Sequence, residues 1–296
     1  MVSTMKYLFI PFLFLLIPIP RVSEAQKIIG GETVYVVEKG DTFELIGAKL
    51  GVNWKGIIKK NNLDGRKMLR TGQKLRVDTR KIVPRMIDDG IIINIPDRML
   101  YLFKKGNLKG ALPVGLGMPF WRGIKRWRTP EGKFRVLKKL ENPTWYVPES
   151  IQLKMKMEGK AVKTVIQPGT QNPLGRYAIK TSICGIMIHE TIWPSTVYQY
   201  KSHGCIRVLP EHMEKFFEEV KINMVGELIY RPVKIAISGK GRVFMEVNRD
   251  IYGKMKDLRI EARRVIEESM VAHKVDWHRV DTVLKEKSGI PEDVTF

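Results

Sequence analysis

The chain has 296 residues, of which 44% are hydrophobic and 28% charged, enough apolar residues to bury the cores of about two domains and too many for a disordered chain. Lys and Arg number 52 against 31 Asp and Glu, a formal net charge of +21. This excess of positive charge predicts a partner that carries negative charge, but it does not identify that partner. The two cysteines, Cys184 and Cys205, are too few for a scaffold built from disulfides.

The N-terminus indicates where the protein acts. An uncharged apolar run covers residues 7–20 and is followed by small residues at Ser23 and Ala25. The run is shorter than the roughly 20 apolar residues of a spanning helix, so we expect residues 1–25 to be a signal peptide, with no membrane span after cleavage. An uncleaved anchor is the alternative. Either way the protein is exported, to the periplasm or cell wall, which argues against a nucleic-acid partner.

A compact α+β unit is predicted over residues 33–78. Residues 33–37 have the pattern of a short strand, and Asp41 with Glu44 predicts a capping box at the start of a helix. Asn53 is placed to cap a second helix that ends at residues 61–62, and residues 69–77 predict a turn and a returning strand.

Three segments of this unit resemble a LysM module over its full length: 35–42 (YVVEKGDT), 61–63 (NNL) and 71–77 (TGQKLRV). The resemblance implies binding to a glycan that contains N-acetylglucosamine, such as peptidoglycan. A small interaction domain without affinity for sugar is the alternative.

Residues 79–90 are polar and predict a linker, after which the pattern changes to short β-rich runs. These runs predict a mainly β, sandwich-like domain over residues 91–232, interrupted by one helix that begins at Pro210. A hairpin and two helices, the second capped by Asp276, predict a helical C-terminal extension over residues 233–296. We expect strands at residues 91–95, 99–103, 132–136, 177–179, 186–188 and 226–230.

The residue types that could take part in catalysis are found in two segments, 188–191 (IHET) and 202–208 (SHGCIRV). A cysteine nucleophile needs a proton acceptor, and two histidines are available: His203, two residues before Cys205, and His189, which could reach the thiol from a neighbouring strand. If residues 184–190 form one strand, His189 faces the site and Cys184 points away from it.

An extended segment after Cys205 would place Arg207 beside the thiol. There the guanidinium could lower the pKa of the thiol and bind a carboxylate of the substrate. Gly204 lets substrate approach the backbone closely, and the amides near Gly204 and Cys205 could form an oxyanion hole. On these grounds we expect Cys205 to be the reactive thiol and Cys184 to be inert. A zinc site is the competing interpretation, but the spacing of its four possible ligands fits no familiar finger and their faces differ: Cys184, His189, His203 and Cys205.

The segment 91–232 resembles an L,D-transpeptidase catalytic domain of the YkuD type. The resemblance is carried by the following segments: 97–103 (DRMLYLF), 113–115 (PVG), 128–132 (RTPEG), 142–148 (NPTWYVP), 168–169 (PG), 172–177 (NPLGRY) and 202–207 (SHGCIR). It implies a mainly β fold and an enzyme that transfers an acyl group between peptidoglycan stem peptides, without metal or cofactor.

The resemblance also implies roles for single residues. Cys205 matches the nucleophile and His189 the base. His203 matches the signature histidine, and Arg207, Ser202 and Gly204 match substrate-binding positions. Glu190 departs from the family pattern, which has a small residue after the base, and puts the detail of the pocket in doubt. Three alternatives remain open: an L,D-carboxypeptidase or a stem-peptide amidase, each acting through a thioester at Cys205, and a non-catalytic peptidoglycan-binding protein.

Overall fold

A computed structural model describes residues 26–120 and 127–296. The expected signal peptide, residues 1–25, lies outside the described residues. Within the described ranges, no helix is long and apolar enough to cross a membrane.

The first unit is a two-stranded sheet covered by two helices. Its elements are β2 (Glu32–Val36), α1 (Phe43–Leu50), α2 (Trp54–Lys60) and β3 (Lys74–Asp78). Strands β2 and β3 pair antiparallel, and apolar side chains of all four elements form the small core. Asn53 caps α2 as predicted, but the cap of α1 is Thr42, whose hydroxyl accepts from the Leu45 amide at 3.2 Å.

The predicted capping box at Asp41 is therefore wrong. The Asp41 carboxylate accepts a hydrogen bond from the Tyr35 hydroxyl at 2.7 Å and forms an ion pair with Lys49 at 3.0 Å. A side chain held by these two partners is not available to cap the helix that follows it.

The segment after β3 is built into the fold instead of crossing solvent as a polar linker would. Strand β4 (Lys81–Ile82) pairs with β1 (Ile28–Ile29), and both residues of β4 are buried. The Lys81 ammonium donates to the carbonyl of Gly289 at 2.5 Å, and the amide of Ile82 donates to Glu246 at 2.7 Å. Residues 81–82 thus join the first unit to the C-terminal extension.

The central domain is mainly β, as predicted. Its strands are β5 (Gly90–Asn94), β6 (Met99–Lys104), β7 (Asn107–Gly117), β8 (Gly132–Glu141), β9 (Trp145–Tyr146), β10 (Val165–Ile166), β11 (Tyr177–Thr181), β12 (Met187–Glu190), β13 (Tyr200–Ser202), β14 (Ile206–Val208) and β15 (Val225–Ile229). Nine of them form one mixed sheet in the order β13, β7, β14, β12, β11, β8, β15, β5, β6, and β7 also pairs with β6. The long strand β7 therefore joins the two ends of the sheet around the main hydrophobic core.

The described part of this domain contains two helices. Helix α4 (Pro210–Glu219) begins at Pro210 as predicted and buries Met213 and Phe216. Helix α3 (Glu149–Met157), which the sequence analysis did not predict, lies in the excursion between β8 and β11. A short 3₁₀ turn, Pro194–Thr196, follows β12.

The C-terminal extension has a core of its own. Strands β16 (Val233–Ile237), β17 (Val243–Val247) and β18 (Glu292–Asp293) form a sheet, against which α5 (Leu258–Glu268) and α6 (Trp277–Glu286) pack. A 3₁₀ turn, Ala272–Lys274, separates the two helices. Asp276 caps α6 as predicted, and its carboxylate accepts from the His278 amide at 2.8 Å.

Candidate active site

A cavity of about 820 Å³ opens in the central domain and brings together the predicted site residues. One wall comes from β12, β13, β14 and the loops beside them, and the other from the excursion over residues 142–176 that carries α3. Its lining includes His189, Ser202, His203, Cys205 and Arg207. The segments that carry these five residues thus meet at one cavity, although they are separate in the sequence.

Cys205 stands at the start of β14, after a tight turn. The Ser202 hydroxyl donates to the carbonyl of Cys205 at 2.6 Å and accepts from the amide of Gly204 at 3.1 Å. Gly204 has φ +115°, a region that favours glycine, and a Cβ there would come within 3.2 Å of Ile186. Both residues therefore shape the turn that presents the thiol.

The same hydrogen bonds change two expectations about this turn. The amide of Gly204 is engaged by Ser202, so it is not free to serve in an oxyanion hole. Ser202 is buried, and its hydroxyl is used inside the turn. This geometry favours a positioning role for Ser202 over direct contact with substrate.

The Cys205 thiol is protonated at rest. Burial raises the pKa of Cys205 above its ordinary value, although the Met187 amide and the Arg207 guanidinium both favour the thiolate. Arg207 thus lowers the pKa of the thiol, as expected, but burial raises that pKa by more. The thiol needs a base during attack, and the carbonyl of Gly185 accepts its hydrogen bond at 3.5 Å.

His189 is buried on β12, which runs parallel to β14 so that His189 lies opposite Arg207. Its Nδ1–H donates to the carbonyl of Glu190 at 2.5 Å, so the free lone pair is on Nε2. Burial and the nearby Arg207 lower the pKa of His189 to about 4. The imidazole is neutral at neutral pH, which is the form that accepts a proton.

His203 lies beside the nucleophile but has a different environment. The Lys154 ammonium of α3 donates to His203 Nε2 at 3.2 Å, and the ring of Trp127 meets the imidazole edge-on with centroids 4.5 Å apart. Burial, Lys154 and Arg207 lower the pKa of His203 to about 4. Because an ammonium can only donate, Nε2 of His203 accepts and its ring proton is on Nδ1.

Arg207 lines the cavity from β14, two residues after Cys205. Within residues 26–120 and 127–296 it forms no ion pair, and its guanidinium lies 5.2 Å from the centroid of the Trp193 ring. A guanidinium stacked on an aromatic ring keeps its planar N–H groups available for a carboxylate.

Glu190 does not disturb the cavity. Its side chain turns away from the lining residues and accepts from the amide of Arg176 at 3.3 Å. It packs against Gly175, where a Cβ would approach the Glu190 Cβ to 2.6 Å. The backbone carbonyl of Glu190, not its carboxylate, reaches His189. The departure at this position therefore leaves the pocket intact.

The orientation expected for Cys184, pointing away from the site, is wrong. Cys184 is exposed and lies on the cavity wall, because residues 183–186 form a turn and the strand starts only at Met187. Side chains alternate between the two faces of a strand only where the backbone is extended. The alternation that applies to His189 therefore does not predict the direction of Cys184, which lies in the turn. Both cysteines are free thiols.

Sequence reasoning missed Lys154, Trp127 and Thr129. Thr129 donates through its hydroxyl to the carbonyl of Gly204 at 2.9 Å and accepts from the Gly117 amide at 2.8 Å, which ties the nucleophile turn to β7. Helix α3, which carries Lys154, has no apolar stripe of helical period and buries no residue. Its only helical signals are Pro148 before the first turn, Glu149 in that turn and lysines in the last turn.

In the part of the chain that the structure describes, no group of three or more His, Cys, Asp or Glu side chains could hold a metal ion. The cavity contains a thiol, a neutral imidazole oriented by a carbonyl, and a guanidinium that forms no ion pair with another described residue, which are groups that can support nucleophilic acyl transfer.

The chain belongs to the L,D-transpeptidase family of the YkuD type. Residues 88–235, half of the chain, match the family model of the L,D-transpeptidase catalytic domain, and residues 35–78 match that of the LysM domain.

Curated relatives are similar over almost the whole chain. The probable L,D-transpeptidase ErfK/SrfK of Salmonella typhimurium is 26% identical, with 97% of this chain and 96% of the relative covered. The probable L,D-transpeptidase YcfS of Escherichia coli is 26% identical, with 93% of this chain and 87% of the relative covered.

Solved structures of L,D-transpeptidases are also similar. The catalytic domain of the Enterococcus faecium enzyme acylated by ertapenem is 20% identical with a TM-score of 0.36, and the match covers 48% of this chain and 98% of that one. An L,D-transpeptidase from Mycobacterium smegmatis is 13% identical with a TM-score of 0.37, and covers 70% of this chain and 98% of that one.

Proposed function

We propose that this protein is an exported peptidoglycan L,D-transpeptidase that forms a thioester at Cys205. The donor is a tetrapeptide stem, cleaved between the L-centre of its third residue and the terminal D-alanine. The acceptor is an amine of a second stem, which gives a 3→3 crosslink, or an amine of an envelope protein. The observation that carries the proposal is the neutral His189, held by the carbonyl of Glu190, in one cavity with Cys205 and Arg207.

In the first half-reaction, His189 Nε2 takes the proton of the Cys205 thiol while the sulfur attacks the donor carbonyl carbon. The tetrahedral adduct collapses, the C–N bond to D-alanine breaks, and the imidazolium gives its proton to the leaving amine. In the second half, the acceptor amine attacks the thioester, its proton passes to His189, and the thiol is released in its protonated form. The thioester conserves the energy of the peptide bond, so no nucleotide is needed.

Donor binding is assigned to Arg207. It forms no ion pair with another described residue, and the planar fork of a guanidinium fits a carboxylate in bidentate geometry. Gly204 and Ser202 act on the same step by holding the turn that carries Cys205.

The LysM domain is proposed to hold the enzyme on glycan strands. A groove of about 500 Å³ runs along one side of this domain, and Met68, which is 94% exposed, lies on its wall. An exposed apolar side chain beside polar groups suits the apolar face and hydroxyl groups of a sugar ring. The groove is lined by Phe43, Leu63, Asp64, Lys67, Met68, Leu69, Arg70, Thr71 and Gln73.

We assign the regions as follows: residues 1–25 a signal peptide, 33–78 the glycan-binding module, 79–90 the connection, 91–232 the catalytic domain and 233–296 a supporting extension. The acceptors are at the cell wall, so the enzyme acts in the periplasm or at the wall itself.

The test is mass spectrometry of the enzyme with tetrapeptide-bearing wall fragments, with Cys205→Ala and Cys184→Ala as matched variants. We expect an adduct that lacks one D-alanine on the wild type and on Cys184→Ala, none on Cys205→Ala, and then a 3→3 linked dimer. Tripeptide without dimer at high acceptor concentration would make the enzyme a carboxypeptidase. An adduct on Cys205→Ala, or unmodified donor with reduced wild-type enzyme, would refute the proposal.

A further inference from the structure

A second cavity, of about 220 Å³, opens where the first unit, the central domain and the C-terminal extension meet. It is lined by residues within the segments 44–55, 96–98, 197–200, 248–251 and 287–288. None of these described lining residues belongs to the active-site cavity or to the groove on the LysM domain. We infer that this second cavity is a binding site for a small oxyanion, a carboxylate or a phosphate group.

Positive charge predominates in the lining of the second cavity. Four of its side chains are cationic and one is acidic: Lys55, Arg98, Arg249, Lys287 and Glu44. None of the four cations forms an ion pair with another described residue. An anion placed between them would reduce their mutual repulsion, so the cavity favours a ligand that carries negative charge.

Arg98 holds its guanidinium against two aromatic rings of the cavity wall. The guanidinium carbon lies 4.1 Å from the centroid of the Tyr198 ring and 5.2 Å from that of the Tyr200 ring. The Tyr200 hydroxyl donates to the carbonyl of Ile95 at 2.9 Å, which fixes the second ring. The guanidinium is therefore held in place before a ligand arrives, and binding need not order it.

One donor of Arg98 has no acceptor. Its Nε–H is buried without a hydrogen-bond partner, although the guanidinium also hydrogen-bonds to the neutral Tyr198 phenol. A buried donor without an acceptor is unfavourable. An oxygen bound at that edge of the guanidinium would satisfy it with a charge-assisted hydrogen bond.

The acids nearest to Arg98 do not pair with it. Asp97, its neighbour in the sequence, accepts from Lys234 at 2.6 Å and from the Tyr101 hydroxyl at 3.0 Å. Glu44, the acid among the described lining residues, is in the first turn of α1 and forms no ion pair with another described residue. The charge of Arg98 is thus left for a ligand from outside the chain.

The size of the second cavity limits that ligand. A volume of about 220 Å³ has room for roughly seven water molecules at about 30 Å³ each. A disaccharide or an extended peptide does not fit, whereas a single residue with a carboxylate or a phosphate ion does. The ligand is therefore the carboxyl end of a wall peptide that reaches in from outside, or a free phosphate.

The test titrates the full chain, in a chloride buffer, with inorganic phosphate, N-acetyl-D-alanine and the uncharged N-acetyl-D-alaninamide. Calorimetry gives Kd, and the unfolding temperature with and without each anion is the second readout. Arg98→Met and Arg249→Met each remove a cation of the second cavity. Arg207→Met is the matched control, because it removes the guanidinium of the β14 wall of the active-site cavity.

We expect the wild type to bind at least one of the two anions and not the amide. Arg98→Met should raise that Kd about tenfold, the loss of a charged hydrogen bond, and remove most of the rise in unfolding temperature. Arg249→Met, at an exposed position, should raise the Kd less, and Arg207→Met should leave it unchanged. Tighter binding of N-acetyl-D-alanine would assign the site to a peptide carboxylate, and tighter binding of phosphate to a phosphate group.

Circular dichroism shows whether Arg98→Met is folded. In the folded variant, an unchanged Kd would overturn the inference; if the variant is unfolded, an unchanged Kd in Arg249→Met would overturn it. Loss of binding in Arg207→Met alone, equal binding of the amide, or no binding of either anion to the wild type would also overturn it.

Discussion

Charged side chains at two places in this protein have opposite environments. At the junction of the three regions, the Lys234 ammonium is completely buried between Asp97 at 2.6 Å and Glu246 at 2.9 Å, and also donates to the carbonyl of Ile82. In the active-site cavity, Arg207 forms no ion pair with another described residue.

The junction satisfies its charges completely. Asp97 also accepts from the Tyr101 hydroxyl and the Met99 amide, and Glu246 accepts from Asn248 and Ile82. Burial alone would lower the pKa of Lys234, but the two carboxylates outweigh it and raise the pKa above its ordinary value. Such a cluster fixes how β4, the central domain and β17 meet.

The cavity keeps its polar groups for a ligand. His189 and Cys205 are both neutral at rest, because burial lowers the pKa of the imidazole and raises that of the thiol. Lys234 is buried between opposite charges and serves the structure, whereas His189 and Cys205 are buried with hydrogen bonds to backbone groups and remain available for chemistry. The following experiments test that distinction.

The largest effect is expected for His189→Ala. Removal of the proton acceptor should slow acyl-enzyme formation by about 10²–10⁴-fold, because the thiol of Cys205 is protonated at rest. Stopped-flow measurement of adduct formation gives the rate, and His273→Ala, at an exposed histidine, is the control. Wild-type rates in His189→Ala would assign the base to another group.

At the junction the expected effect is on stability. Lys234→Met leaves Asp97 and Glu246 buried without a cation and should cost about 3–5 kcal/mol of the free energy of unfolding. The matched variant Lys59→Met removes an exposed ion pair with Glu286, 3.1 Å long, and should cost less than about 1 kcal/mol. Urea unfolding curves measure both. Equal costs for the two variants would mean that the buried cluster is not what holds the regions together.

Much of this architecture follows from local sequence. The caps Asn53 and Asp276 and the start of α4 at Pro210 were predicted because each depends on a side chain within a few residues of the element. Strand β7 was missed because Gly110, Pro113, Gly115 and Gly117 interrupt its pattern. The residue types of the site could be predicted for the same reason, because they lie in two short segments, 188–191 and 202–208.

The parts that were not predicted depend on distant contacts. Lys154 meets His203 across 49 positions of sequence, and nothing near residue 154 indicates it. The environment of Cys205 was misjudged because its neighbours in sequence are polar, whereas its pKa is set mainly by burial in the folded cavity. The neighbours of a cysteine in the sequence indicate which charged side chains lie near its thiol. They do not indicate how far folding removes that thiol from water.

A smaller effect is expected in the pH dependence of kcat/KM. The pKa of His189 is about 4, so kcat/KM should be constant from about pH 5 to 7 and fall about tenfold per pH unit below pH 4, where the base becomes protonated. His203 has the same pKa of about 4, so a slope of two would show that both rings must be neutral. Circular dichroism at each pH excludes unfolding as the cause. A limb near the ordinary histidine pKa of about 6.5 would mean that neither ring titrates as its burial requires.

The smallest effect concerns the two thiols. Cys184 is exposed in a turn, whereas the Cys205 thiol is half-buried with a raised pKa, so a small neutral alkylating reagent near neutral pH should modify Cys184 at least as fast as Cys205. The donor peptide should show the opposite preference and acylate Cys205 alone. Cys205 immediately precedes β14, which carries Arg207 and pairs with the His189 strand β12, whereas Cys184 lies in the turn before β12. Peptide mapping after short exposure to each reagent, with Cys184→Ala as the reference for Cys205, gives both rates. Faster alkylation of Cys205 would mean that Arg207 outweighs burial and that the thiolate is present before substrate arrives, which would remove the difference drawn here between the resting cavity and the working one.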